Sequence, residues 1–100
     1  MDPLIEILAK NIILDKTIRS TQKKNFILMI NRISSFKTIA EQLHRQNAWH
    51  LLFNAFHEEI KFLNEQKNYF KDKLKGNTLL IFNDLVDDQI DLYNYYLVKL

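Results

Sequence analysis

Three histidines, His44, His50 and His57, and the chain's only tryptophan, Trp49, fall within residues 43–57. Imidazoles this close raise the question of a metal site. Two histidines of one helix share a zinc ion when they stand at i,i+3 or i,i+4. His50 and His57 are two turns apart, about 10.5 Å at 1.5 Å per residue, and His44 precedes a turn expected at Gln46-Asn47. The chain has no cysteine, so thiolate ligation and thiol catalysis are both excluded. With a single glycine it has no G-x-S-x-G elbow and no glycine-rich phosphate loop. The histidines are therefore expected at surface or boundary positions, with no metal and no cofactor.

A second arrangement lies in the same stretch. Arg45-Gln46-Asn47-Ala48-Trp49-His50 resembles the R-x4-H pattern of HEPN-domain ribonucleases, which are small helical bundles and often dimers. The likeness covers six residues, and Gln46 stands where that family usually has Asn, Asp or His. It implies that His50 would exchange protons with the RNA 2′-OH or the leaving oxygen while Arg45 stabilises the charged phosphate. The residues have a plainer reading of their own: Arg45 offsets the negative end of a helix, and His50 flanks a buried Trp49.

Carboxylates cluster further on. Asp87-Asp88-Gln89-Ile90-Asp91 is similar to the D-D-x-x-D magnesium-diphosphate motif of prenyl-chain enzymes. Those enzymes need a larger helical cavity and a second acidic site, and neither fits in this length. The same spacing makes Asp84/Asp88 and Asp87/Asp91 like-charge i,i+4 pairs, each costing a few tenths of a kcal/mol. A solvated helix face is the ordinary account, and a basic partner surface would relieve the cost.

Composition bounds the rest. One hundred residues, 47% hydrophobic with one Gly and one Pro, predict a folded, mostly helical chain forming a single domain over 1–100. Charge is uneven: Lys16, Arg19, Lys23, Lys24, Arg32, Lys37 and Arg45 face only Glu41 across residues 16–57, whereas residues 81–98 carry four Asp and no base. The sequence pI of about 8.9 and the scatter of the bases over a helical wheel argue against a nucleic-acid ligand, and a protein that binds nucleic acid weakly is a further alternative. No membrane span and no signal peptide are expected, and the lack of cysteine suits a reducing cytoplasm. The abundance of Ile, Asn, Lys, Phe and Tyr points to an AT-rich genome such as that of a low-GC bacterium, a phage or a mobile element.

The elements that must position these residues follow from periodicity. Asp2-Pro3 starts a first helix running to about residue 17. Ser20 or Thr21 caps a second, with Phe26, Ile30, Ile33, Phe36, Ala40 and Leu43 as its stripe. Thr38-Ile39-Ala40-Glu41 has capping-box spacing, so a five-helix form broken near residue 37 is also allowed. Trp49, Leu52, Phe53, Phe56, Ile60, Leu63, Phe70 and Leu74 form a third stripe, closed by Gly76. Its phase is about 170° from that of the second, which requires a corner at Gln46-Asn47 with Asn47 as cap. Asn77 or Thr78 caps a last helix with Leu79, Phe82, Val86, Ile90, Tyr93, Leu97 and Leu100 inward.

The fold expected is an all-α antiparallel four-helix bundle. Leu51, Ala55, Phe62 and Tyr69 form a second apolar line on the third helix, either an interface or a wider core covered by the first helix. The sequence thus points to a non-catalytic protein, a regulator, inhibitor, immunity-type or adaptor protein, that binds another protein or a second copy of itself. Its expected contact residues are Leu51, Phe62, Tyr69, Asp84, Asp87, Asp88 and Asp91. A HEPN-like RNase using Arg45 and His50 is the alternative.

Overall fold

A computed structural model describes residues 3–100. They form four helices, α1 (Pro3–Leu14), α2 (Ser20–Arg45), α3 (Trp49–Phe70) and α4 (Gly76–Lys99), with no strand among the described residues. Short links make sequence neighbours antiparallel, and α4 closes the ring by packing on α1. Thus α1 touches α2 and α4, α3 touches α2 and α4, and the diagonal pairs stand across the core. The result is the antiparallel four-helix bundle expected, about 46 Å long.

Aromatic rings fill its axis. Phe26, Phe70 and Phe82 meet near the end where α2 and α4 begin, with ring centroids 5.0 Å apart for Phe70–Phe82 and 6.5 Å for Phe26–Phe82. Phe36, Phe56 and Tyr93 meet edge-on or tilted at 5.1–5.6 Å higher up, an arrangement that ring quadrupoles favour. Leu8 and Ile12 of α1, Met29, Leu63, Leu74 and Val86 complete a core from which water is excluded.

The corner between α2 and α3 lies where the change of phase requires it, but Asn47 works differently from a cap. Asn47 takes φ 55° and closes α2. Its N–H donates to His44 O at 3.1 Å and that of Ala48 to Leu43 O at 2.9 Å, the paired bonds of a left-handed helix end that Asn tolerates. Ala48 holds the cap position of α3, with no side-chain bond. No break occurs near residue 37; α2 runs unbroken, because neither Ser34-Ser35 nor Thr38 outweighs the packing of Phe36.

Several ends differ from expectation. α1 stops at Leu14, not residue 17, because Asp15 accepts from the Thr17 N–H at 2.8 Å and its hydroxyl at 2.7 Å and turns the chain. At the start of α2 the cap position is Arg19, whose N–H donates to Gln22 Oε1 at 3.1 Å; Ser20 and Thr21 are already helical. α3 ends at Phe70, whose carbonyl accepts from Lys73 and Leu74, while Lys73 Nζ donates to the freed Tyr69 carbonyl at 3.0 Å. Gly76 is left-handed as expected, φ 58°, but opens α4 instead of closing α3. Lys75 takes the cap position there without a side-chain bond, so neither Asn77 nor Thr78 caps it. The expected Asp2 cap lies outside the described residues.

One mismatch of length shapes the surface. The twelve residues of α1 span about 18 Å and the twenty-six of α2 about 39 Å at 1.5 Å per residue. Lys23 Nζ, near the start of α2, donates to Ile13 O near the end of α1 at 2.8 Å. Antiparallel travel from that level puts Pro3 beside about residue 33 of α2. Above it, among the described residues, the bundle has three helices and an open fourth side.

Candidate functional site

That open side is a groove. It is lined by Ala40, Glu41, His44 and Arg45 of α2, Trp49, Leu52 and Phe56 of α3, and Tyr96 and Lys99 of α4 with Leu100, around a volume of about 610 Å³. Leu52 and Phe56 are the buried floor. Tyr96 stacks 5.9 Å from Phe56, and Trp49 meets His44 edge-on at 5.3 Å. Trp49 was expected in the core; it is 47% exposed, packed against His44 in the lining of the groove. Phe53, 45% exposed and packed on His57 at 4.5 Å, departs from the core stripe in the same way.

The mouth is charged. Arg45 and Lys99 have no ion-pair partner among the described residues, and Glu41 is the single side-chain carboxylate of the lining; the ion pairs present are Arg32–Glu59, Lys67–Asp87 and Lys73–Asp72. Lys99 Nζ lies 5.3 Å from the centre of the Tyr95 ring.

The residues singled out from sequence are spread over the molecule. Arg45 ends α2 and His50 follows the start of α3; both are exposed, only Arg45 lines the groove, and no hydrogen bond joins them. Among the described residues no three His, Asp or Glu side chains converge as a metal-ligand set. Asp84, Asp88 and Asp91 are exposed on α4, whereas Asp87 is bound by Lys67 of α3, so part of the basic surface these carboxylates call for lies within the chain.

The line Leu51, Ala55, Phe62, Tyr69 divides. Leu51 is 61% exposed. Phe62 and Tyr69 are half-buried in a second groove between α2 and α3. There the Arg32 guanidinium lies 3.9 Å from the centre of the Phe62 ring, and Asn25 Nδ2 donates to the Tyr69 hydroxyl at 2.8 Å. Side chains of α2 cover these rings, not α1, which does not pack on α3.

Beneath this surface sits the one buried charged residue among those described, Glu59, whose Oε1 accepts from Arg32 at 2.8 Å and whose Oε2 has no partner. Burial, with the Glu59 charge nearby, pushes the Tyr93 hydroxyl above its ordinary pKa.

The groove residues Ala40, Leu52, Phe56 and Tyr96 were not singled out as a site from sequence. The signal was there in the lengths, since a first helix half as long as its neighbours leaves Tyr96 exposed over the buried Leu52 and Phe56. Comparison with known proteins finds no protein family, curated protein or solved structure that matches this chain. Among the described residues no helix is long and apolar enough to cross a membrane.

Proposed function

We propose that this chain is a non-catalytic helical protein that binds another protein, and that the groove above α1 is where it does so. The observation that carries this reading is the change of exposure along one stripe of α4. Ile81 and Leu85 are half-buried and buried beside α1, whereas Leu92 and Tyr96, farther along the stripe, are 41% and 44% exposed. Apolar positions continue where their cover stops. Tyr96 lines the groove together with Trp49 and Leu100, 47% and 48% exposed, an exposed apolar group of the kind that marks a contact surface, with aromatic anchors of the kind that dominate binding energy.

The test is capture from cells of the organism that encodes the protein, comparing the tagged wild type with Tyr96→Lys and with Asp88→Lys, an exposed residue outside the groove. A partner retained by wild type and Asp88→Lys and lost by a folded Tyr96→Lys supports the reading. A partner retained equally by all three contradicts it.

A further inference from the structure

The groove has a direction and a charge, and both constrain its occupant. α1 runs antiparallel to α2 and α4, and among the described residues the groove continues its track for about 18 Å, from the level of residue 33 to Arg45, enough for roughly a dozen helical residues. Both α2 and α4 terminate at the far mouth, so their carbonyl ends present partial negative charge there, offset by Arg45 and Lys99. A helix continuing the track of α1 would bring its N-terminus to that mouth. Its free N–H groups would face the carbonyl ends of α2 and α4. Acidic side chains, which are favourable in the first turn of any helix, would lie against Arg45 and Lys99, whose charges are unpaired among the described residues. Arg45 offers a rigid fork suited to a carboxylate.

Resting on the reading of the groove as a partner site, we propose that its occupant is an amphipathic helix of another protein, about twelve residues long, with acidic residues in its first turn. It lies antiparallel to α2 and α4. Its apolar row packs on Leu52, Phe56 and Tyr96, and its first-turn carboxylates meet Arg45 and Lys99. The bundle thereby becomes four-helical over its whole length.

Trp49, the only tryptophan, stands in the lining and reports occupancy by a blue shift of its emission. The probes are helix-stapled twelve-residue peptides with one leucine row, one with glutamates in the first turn and one with lysines there. The glutamate peptide is expected to bind at least tenfold more tightly than the lysine peptide, and the Arg45→Glu/Lys99→Glu double variant to reverse the order, with circular dichroism confirming its fold. Equal binding of both peptides overturns the acidic occupant while leaving the groove reading to the capture experiment. No shift with either peptide overturns a helical occupant. A blue shift that grows with protein concentration alone, together with a doubled mass, overturns the proposal in favour of a second copy of this chain.

Discussion

Leu85 and Tyr96 stand three turns apart on one stripe of α4, yet Leu85 is 6% exposed and Tyr96 44%. The stripe lies away from Asp87, which is bound by Lys67 of α3, and so faces the α1 side of the bundle. The difference between the two residues is the length of α1. A surface that would be core in a uniform bundle is left open, and the predictions below separate what holds the fold from what this surface does.

The Arg32–Glu59 pair should matter through Glu59. Removing Arg32 strands a carboxylate that is almost fully buried, but Arg32 itself is half exposed, so the expected loss for Arg32→Ala is about 2–3 kcal/mol, below the 3–5 kcal/mol of fully buried pairs. Thermal melting should fall by about 10–20 °C. Replacing both partners by apolar residues, Arg32→Met with Glu59→Leu, should recover most of it. A single-variant loss under about 0.5 kcal/mol would mean that Glu59 reaches water.

Two left-handed residues set the links. At Gly76 an added Cβ meets nothing within 4 Å, so Gly76→Ala should destabilise through its backbone alone, by about 1–2 kcal/mol. At Asn47, Ala should cost about 1 kcal/mol and Gly should be neutral or slightly stabilising. Urea unfolding of the three variants checks this, and a destabilised Asn47→Gly would contradict it.

How much was legible in the sequence depended on whether a residue's surroundings are local. The 3.6-residue stripe located Phe26, Phe36, Leu52, Phe56, Leu63 and Phe70 in the core, and the phase jump placed the corner at Gln46-Asn47, because both are properties of one helix or of two joined ones. Trp49 was misplaced. Its helical phase is the same as that of Lys67, 18 residues on, which is partly exposed and reaches Asp87 of α4, so the position lies on the flank of the stripe and not at its centre. Cap positions were missed where backbone bonds alone suffice, as at Ala48 and Lys75.

Alkaline stability should report Tyr93. Burial raises its pKa in the folded state, so the folded chain keeps this proton at pH values where the unfolded chain loses it. The contribution is complete below the unfolded value, near 10, and is lost as pH rises through the folded one. Melting temperature should therefore drop above about pH 10, and the drop should be shallower in Tyr93→Phe. Identical profiles for the two proteins would contradict a buried, protonated phenol.

The ribonuclease alternative makes opposite demands. His50 is exposed and has no hydrogen bond to Arg45 among the described residues, so His50→Ala should leave melting temperature and partner capture unchanged, and the purified protein should not cleave RNA. Cleavage abolished by both His50→Ala and Arg45→Ala would establish the catalytic reading instead. EDTA should not change the melting temperature, since no ligand set converges among the described residues.

Site-specific photocrosslinking in cells tests the central claim most directly. A photoreactive amino acid placed at Tyr96, in the groove, is compared with one at Lys61, exposed on α3 outside the groove lining. The account predicts a discrete adduct with another protein from position 96, absent from position 61 and suppressed when Arg45→Glu is added. An adduct from position 61 with none from position 96 would show that the chain binds its partner elsewhere and that the open end of the bundle is not the site.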